Sequence, residues 1–191
     1  MHSIRKKYIG LVSRFSKRLF LYALYLEDKE LINLISVSKE NKHILENMYQ
    51  FYNYDFSEFT QEDINRQGLY DVDLEYFWQD PRWNPFFINQ DGKIIGFLVV
   101  LFENYDVDPD PTHVIYDFMI LKNYRRNGLG KEAAIKAFNL YNANWKVAQM
   151  ALNEPSKQFW RNIIKEYTND SYTEIYRHDL KKYIQTFCSK N

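Results

Sequence analysis

The chain has 191 residues, 46% hydrophobic and 26% charged, which is enough to bury the core of one domain and too apolar for a disordered chain. Six glycines and five prolines exclude a collagen-like or linker-dominated architecture, and a single cysteine, Cys188, excludes an internal disulfide and points to a reducing, cytoplasmic setting. The net charge of zero conceals a segregation: residues 1–52 hold 9 basic and 5 acidic groups, residues 53–117 hold 3 and 14, and residues 118–191 hold 13 and 6. Such a split suits a protein that holds an anion with one part and a cation with another, although an acidic stretch is equally a solvated surface.

At the N-terminus, Arg5, Lys6, Lys7, Arg14, Lys17 and Arg18 precede the apolar run Leu19–Leu26. Glu27-Asp28-Lys29-Glu30 comes next, without a small-x-small cleavage site, so a signal peptide is disfavoured. Val12, Phe15, Leu19 and Tyr22 fall at helical spacing, and residues 1–30 read as a basic amphipathic helical extension that packs on the domain or a partner, or rests weakly on a membrane surface. No apolar run of about eighteen residues is present to cross a bilayer.

Residues 31–191 read as one domain. Leu31–Val37 is a first strand; Ser38 is a candidate N-cap for a helix with Ile44, Leu45, Met48, Phe51 and Tyr52 on one face. Residues 53–80 are aromatic and acidic, with turn signals between short helical pieces. Phe86–Ile88 and Ile94–Phe102 are strands joined by the hairpin signal Asp91-Gly92. Asp106–Thr112 carries Pro109 and Pro111 and is a loop. Val114–Leu121 is a buried strand, Leu129–Tyr141 a helix, Trp145–Leu152 a strand, Pro155–Tyr167 a helix and Tyr172–Arg177 a last strand. The order β-α-α-β-β-β-α-β-α-β implies an α+β fold with a mixed sheet, because a hairpin is antiparallel and a strand-helix-strand unit is parallel.

The chemistry concentrates after the strand 114–121, where Lys122-Asn123-Tyr124-Arg125-Arg126-Asn127-Gly128-Leu129-Gly130-Lys131 runs into a helix. A helix N-terminus offers unpaired N–H groups and the positive end of a dipole. Gly128 and Gly130 let an anion approach the backbone, and Arg125, Arg126 and Lys131 add charge, so this is a candidate phosphate-binding turn. A Walker loop is excluded, since Arg125 stands where its first glycine belongs and Glu132 where its Ser or Thr belongs. Gly128-x-Gly130-x-x-Ala133, with Glu154 downstream, imitates a dinucleotide fingerprint, but the strand ends too early and too little chain remains for a doubly wound sheet.

Arg125-Arg126-Asn127-Gly128-Leu129-Gly130 resembles the Gln/Arg-x-x-Gly-x-Gly/Ala signature of the GNAT superfamily of N-acetyltransferases, and Phe118–Tyr124 resembles the strand and turn before it. Asn153-x-Pro155-Ser156-x-x-Phe159-Trp160 is similar to that superfamily's second landmark, and the likeness covers about 31–178. Asn53-Tyr54-Asp55-Phe56-Ser57-Glu58-Phe59 is similar to a bacterial branch of these acetyltransferases. The resemblance implies a central mixed, mostly antiparallel twisted sheet flanked by helices, with acetyl-CoA as co-substrate. It implies that backbone groups of Met119, Ile120 and Leu121 pair with the pantetheine arm and that the amides of Arg126, Asn127, Gly128, Leu129, Gly130 and Lys131 wrap the pyrophosphate. It also implies that Asn153 reaches the arm and that Phe159 packs along it, unless Phe159 is ordinary core.

Acetyl transfer to an amine needs a base, because an alkylammonium of pKa about 10.4 is no nucleophile. Asp117, a carboxylate between Ile115 and Met119 in an apolar strand, is the candidate base, or else a hydrogen-bonded structural aspartate; Tyr116 and Glu103 are reserves. The superfamily's usual proton donor is a Tyr where this chain has Trp160, and an indole cannot replace it, which leaves Tyr167, another tyrosine, water or nothing. The resemblance places the acceptor across the acidic early helices and the Asp106–Asp110 loop, so a primary amine of a cationic small molecule or peptide is the expected partner. The alternative is an acyl-CoA-binding or regulatory module without turnover. His2, His43, His113 and His178 are too scattered for a metal site, no Gly-x-Ser-x-Gly is present, and no basic stripe suggests nucleic acid. A homodimer fits a domain of this kind.

Overall fold

The computed structural model describes residues 32–102 and 112–189. The expected N-terminal helix, Glu103 and the Asp106–Asp110 loop lie outside the described residues.

A strand β1 (Asn33–Ser36) leads through a 3-10 turn at Lys39–Asn41 into helix α1 (Lys42–Thr60). Ser38 sits at the head of the 3-10 turn and caps nothing with its hydroxyl. The helix runs on through residues expected to break into short pieces. Tyr52 packs on Phe56 with ring centroids 4.4 Å apart and Phe56 on Phe59 at 6.3 Å, so apolar contacts along one face carry the helix to Thr60. It stops where Gln61 turns left-handed (φ 58°) and donates its N–H to the Ser57 carbonyl. Of the rest of that region only α2 (Tyr76–Gln79) is helical.

The remaining elements are β2 (Trp83–Gln90), β3 (Lys93–Phe102), β4 (Thr112–Ile120), α3 (Leu129–Leu140), β5 (Asn144–Met150), α4 (Glu154–Thr168), β6 (Thr173–Arg177) and β7 (Lys182–Cys188). The β2–β3 turn is built as expected, with Asp91 (φ 47°) and Gly92 (φ 81°) both left-handed. One sheet has the order β1-β2-β3-β4-β5-β7-β6, antiparallel throughout except between β4 and β5. The α+β class with a mixed, mostly antiparallel sheet flanked by helices is therefore observed. Strand β7 is an addition to the expected order and inserts between β5 and β6. Its fully buried Gln185, bonded to Gln149 (2.8 Å) and Glu174 (2.5 Å), replaces the apolar residue that would have marked it.

Each face of the sheet carries its own core. On one side Ala133, Ala134 and Ala137 of α3 and Ile164 of α4 pack on Ile88, Leu98, Trp145 and Val147; on the other, Leu45, Met48 and Tyr49 of α1 and Phe77 of α2 pack on Phe87, Phe97, Val99 and Met119. The small alanines let α3 lie close to the strands, and Phe138 fills the remaining space against Trp145 (5.2 Å) and Phe187 (4.9 Å).

Strand β4 is irregular near its middle. Val100 pairs with Ile115 but Val99 pairs with Asp117, so Tyr116 is an extra residue, a β-bulge. The bulge inverts the alternation of side chains. Ile115 faces the α3–α4 core, whereas Asp117 faces the α1 core with Met119, so Ile115 and Asp117 do not share a face as simple alternation would have it. The pairing of β4 with β5 also ends at Ile115 and Val147. Beyond that pair the two parallel strands part.

Phe138→Ala should lower the unfolding free energy by about 3–5 kcal/mol, because a fully buried ring with rigid neighbours leaves a cavity that cannot collapse; chemical denaturation measures it.

Candidate functional site

The parting of β4 and β5 opens a cleft of about 740 Å³ roofed by α1, α4 and the turn before α3. The backbone lining is set by the ladder. Leu121 donates its N–H to the Ile95 carbonyl (2.8 Å), so antiparallel alternation turns the backbone groups of Met119 toward β3 and those of Phe118 and Ile120 toward the gap. Met119 and Leu121, expected to pair with a ligand through their backbones, thus spend their N–H groups on β3, and the backbone groups that face the gap are those of Phe118 and Ile120. The Met119 carbonyl lies 2.2 Å from where a Cβ on Gly96 would sit, so only glycine lets β3 close on β4 here.

Past Leu121 comes a 3-10 turn at Lys122–Tyr124, and then Arg126 (φ 64°) and Gly128 (φ 79°) in left-handed conformations before α3 begins at Leu129. Such a sequence of backbone twists makes a concave array of N–H groups at a helix N-terminus, an anion site. The two glycines do different things. Nothing lies within 4 Å of a Cβ built on Gly128, so that position is open, whereas a Cβ on Gly130 would meet the Phe159 ring at 3.2 Å. Gly130 therefore makes room for Phe159, which lines the cleft against Phe118 (5.6 Å). Arg125, Arg126, Lys131 and Asn153 line the cleft as well, while Leu129 is buried beneath it and Leu121 and Asn127 do not line it. Asn153 caps α4 by accepting the Ser156 N–H (3.0 Å), with Pro155 in the first turn.

Three of the four basic side chains at the turn are already engaged. Arg125 donates Nε to the Ile120 carbonyl (2.6 Å) and Nη2 to Asp55 (2.5 Å), Lys122 pairs with Asp55 at 2.9 Å, and Lys131 pairs with Glu166 at 2.5 Å. Burial pushes the Asp55 carboxyl up, and the Lys122 and Arg125 hydrogen bonds outweigh it, so it ends below the usual carboxylate range. Asp55 of α1 is thus the tie between that helix and the turn, a role its sequence context does not announce.

Asp117 lies beside the cleft. Its Oδ2 accepts the Tyr49 hydroxyl at 2.5 Å and its Oδ1 the Tyr52 hydroxyl at 2.7 Å, both within the range of charge-assisted bonds. Burial raises its carboxyl and the two phenols pull it back only in part, so the net shift is upward. The phenols respond in kind: burial, then the Asp117 charge, drives Tyr49 and Tyr52 well above 10, and Tyr76 is pushed up to about 12 by burial and the neighbouring Tyr116 and Asp117 charges. Tyr116, the bulged residue, is 51% exposed with its ring edge against Trp83 at 4.7 Å. Tyr49 and Tyr52 are members of the site that the sequence reading misses; their spacing of three on a helix is the only local signal, and it looks the same as a core-facing stripe. Trp160 is buried against Phe118 (5.1 Å), and Tyr167 sits away from the cleft, bonded to Asn139 (2.8 Å).

An open turn at Gly128, a vacant side to β4 and an aromatic wall at Phe159 fit a long ligand with an anionic middle and a neutral, extended arm. Residues 43–163 match the Acetyltransferase (GNAT) family, and the chain belongs to it. No curated protein matches the sequence. Among solved structures, an acetyltransferase from Thermus thermophilus is similar with a TM-score of 0.63 at 14% identity, over 83% of this chain and 97% of that one. An acetyltransferase from Streptococcus agalactiae gives 0.55 at 15% over 84% and 99%. An aminoglycoside acetyltransferase from an uncultured soil metagenomic sample, in complex with sisomicin, gives 0.55 at 16% over 70% and 87%. At these identities the likeness speaks for the fold. Among the described residues no helix is long and apolar enough to cross a membrane, and no group of three metal-ligating side chains gathers.

The raised Asp117 carboxyl sets a pH dependence of stability. Its native form binds a proton more tightly than the unfolded chain, so it opposes folding as pH rises from the ordinary value near 3.8 through the native one. Asp117→Asn should flatten stability over that window, measured by denaturant unfolding from acid to neutral pH.

Proposed function

We propose that the protein transfers an acetyl group from acetyl-CoA to a primary amine of a cationic acceptor by direct attack, as a member of the bacterial GNAT branch suggested by Asn53–Phe59. The observation that carries this reading is a gap beside β4, with an anion-binding turn at one end and a buried carboxylate at the other. Acetyl-CoA supplies an activated acetyl thioester. The amides from Arg126 to Lys131 bind the diphosphate, the backbone of Ile120 and the side chain of Asn153 hold the pantetheine arm, and Phe159 covers it. The Phe118 N–H, pointing into the gap, donates to the acyl oxygen and stabilises charge that develops there.

Asp117 takes the amine's proton. Each of its oxygens accepts one phenol and keeps a lone pair, and its raised carboxyl brings its basicity toward the working range. The acceptor reaches it past the half-exposed rings of Tyr76 and Tyr116, whose faces attract an ammonium group. Asp73 stands near enough to raise Tyr76 further, which adds negative potential on that side. A polyamine, an aminoglycoside-like amine or a lysine side chain meets these demands, and the single, exposed Cys188 suits a reducing compartment.

A second reading, an acyl-CoA-binding module without turnover, is favoured by Trp160, which removes the expected donor from α4. Calorimetry should show acetyl-CoA binding under both readings, so turnover separates them. Amine-dependent release of free thiol, slowed about 10²-fold or more in Asp117→Asn, is expected under the first alone. Binding without release across a panel of polyamines, aminoglycosides and lysine peptides selects the second.

A further inference from the structure

The α4 wall of the cleft presents Asn153, Pro155, Ser156, Phe159 and Trp160, none of which is an acid able to protonate a leaving thiolate. Among the described residues of the opposite wall, Asp55 is held ionised by Lys122 and Arg125, which leaves one candidate. Tyr52 of α1 lines the cleft together with Phe118 and Met119, at the point where β4 has just left β5, and its hydroxyl is bonded to Asp117. Its neighbour Tyr49 makes the matching bond to the other Asp117 oxygen but is buried and lines no part of the cleft.

The geometry points to Tyr52 as the catalytic acid, working as a relay with Asp117 in place of the donor that Trp160 displaces. The inference rests on the acetyl-transfer reading above and closes its proton balance. The amine nitrogen bonds to the acyl carbon, the carbon–sulfur bond breaks and its electron pair goes to sulfur. The amine enters the step neutral, its ammonium proton having gone to solvent, and the proton that leaves nitrogen as the amide forms goes to the Asp117 carboxylate. The Tyr52 hydroxyl gives its proton to sulfur, and the proton on Asp117 crosses the 2.7 Å hydrogen bond to the Tyr52 oxygen. The products are an amide and a thiol, and both side chains end as they began.

The relay explains how so weak an acid can serve. Burial and the Asp117 charge hold Tyr52 well above 10, so on its own it would yield a proton reluctantly to a thiolate of ordinary basicity, about 8.5. Once Asp117 carries the amine's proton the opposing charge is gone, and the donor is in effect a carboxylic acid acting through a phenol. The ionisable groups around the pair are Tyr49 on α1, Tyr76 on α2, Tyr116 on β4 and, at longer range, Lys182 on β7. The three phenols are raised by burial and by Asp117, so they stay neutral while a thiol titrates.

Coenzyme A and desulfo-coenzyme A, bound to the full chain and compared by calorimetry across the thiol's ionisation, provide the test. In Asp117→Asn, whose neutral side chain stands for the protonated Asp117, the Tyr52 hydroxyl is released from the carboxylate, and this variant should prefer coenzyme A over the desulfo analogue by about 10-fold or more at alkaline pH, the worth of a hydrogen bond to a charged group. In that background Tyr52→Phe should abolish the preference and Tyr49→Phe should keep it, although both delete one hydrogen bond to residue 117. With spermidine as acceptor, Tyr52→Phe should lower kcat about 10²-fold at little change in the acetyl-CoA KM, and more than Tyr49→Phe does. Equal behaviour of the two variants, or an Asp117→Asn preference that ignores pH, overturns the role of Tyr52. Failure of the wild-type chain to bind either compound overturns the coenzyme A reading itself, and the relay with it.

Discussion

One extra residue in β4 governs the site. With Tyr116 bulged out, the strand keeps its antiparallel bonds to β3 on both sides of the irregularity while its parallel bonds to β5 stop at Ile115. A β-bulge bends its strand and sharpens the local twist, so β4 leaves β5 without losing its place in the sheet. The vacated edge at Phe118 and Ile120 would be costly if sealed from water and unpaired, since each buried, unsatisfied backbone group costs about 1–3 kcal/mol. An open cleft avoids that cost and offers the same groups to a ligand that can act as a missing strand. The same bulge inverts the strand's alternation and places Asp117 under α1 rather than under α3 and α4. Open strand edge and candidate base therefore come from one irregularity.

Asp117 shows how the protein tolerates a carboxylate among Phe97, Met119 and the rings of α1. Burial disfavours its charge, and two short bonds from phenols restore part of what water would have given. Because phenols are weaker donors than arginine or lysine, the compensation is partial and the carboxyl stays above its ordinary value. A cationic partner would have held it permanently ionised and made it a poor base. The choice of tyrosines leaves a carboxylate that can accept a proton, which is what the proposed relay through Tyr52 requires.

The layout of the sheet is legible because its strands are apolar and its turns carry strong signals: Asp91-Gly92 for the hairpin, Arg125–Gly130 for the anion turn, Pro155 for the start of α4. The features that escape are decided by contacts between distant residues. The extension of α1 to Thr60 depends on aromatic stacking that overrides the turn-forming look of Asn53, Asp55 and Ser57. Strand β7 is stabilised by Gln185, whose amide is satisfied from two other strands, and a buried glutamine leaves no apolar mark in a sequence. The bulge at Tyr116 is a matter of register with β3, which no local pattern encodes, and it alone separates Ile115 from Asp117. Tyr49 and Tyr52 are visible as a stripe, but a stripe does not say that a carboxylate from residue 117 stands opposite.

Side-chain charge at the turn matters less than the arginines suggest. Arg125 is held by Asp55 and by the Ile120 carbonyl, and Lys131 by Glu166, so much of the basic excess near α3 is neutralised within the fold. Exposed pairs of this kind are worth about 1 kcal/mol or less and yield to a stronger anion, whereas the N–H groups of the turn are fixed by the backbone angles of Arg126 and Gly128 and need no rearrangement. On the proposed reading, affinity for a diphosphate would come first from those amides and the helix dipole. The side chains contribute by letting go of their internal partners. Asp55 is well suited to govern this exchange, because the same carboxylate that ties Arg125 to α1 also keeps Arg125 over the Ile120 carbonyl, the group a pantetheine arm would need. On the proposed reading, binding of the diphosphate and exposure of that carbonyl would be coupled through one guanidinium: an anion that draws Arg125 off Asp55 would also free the strand edge for the arm attached to it.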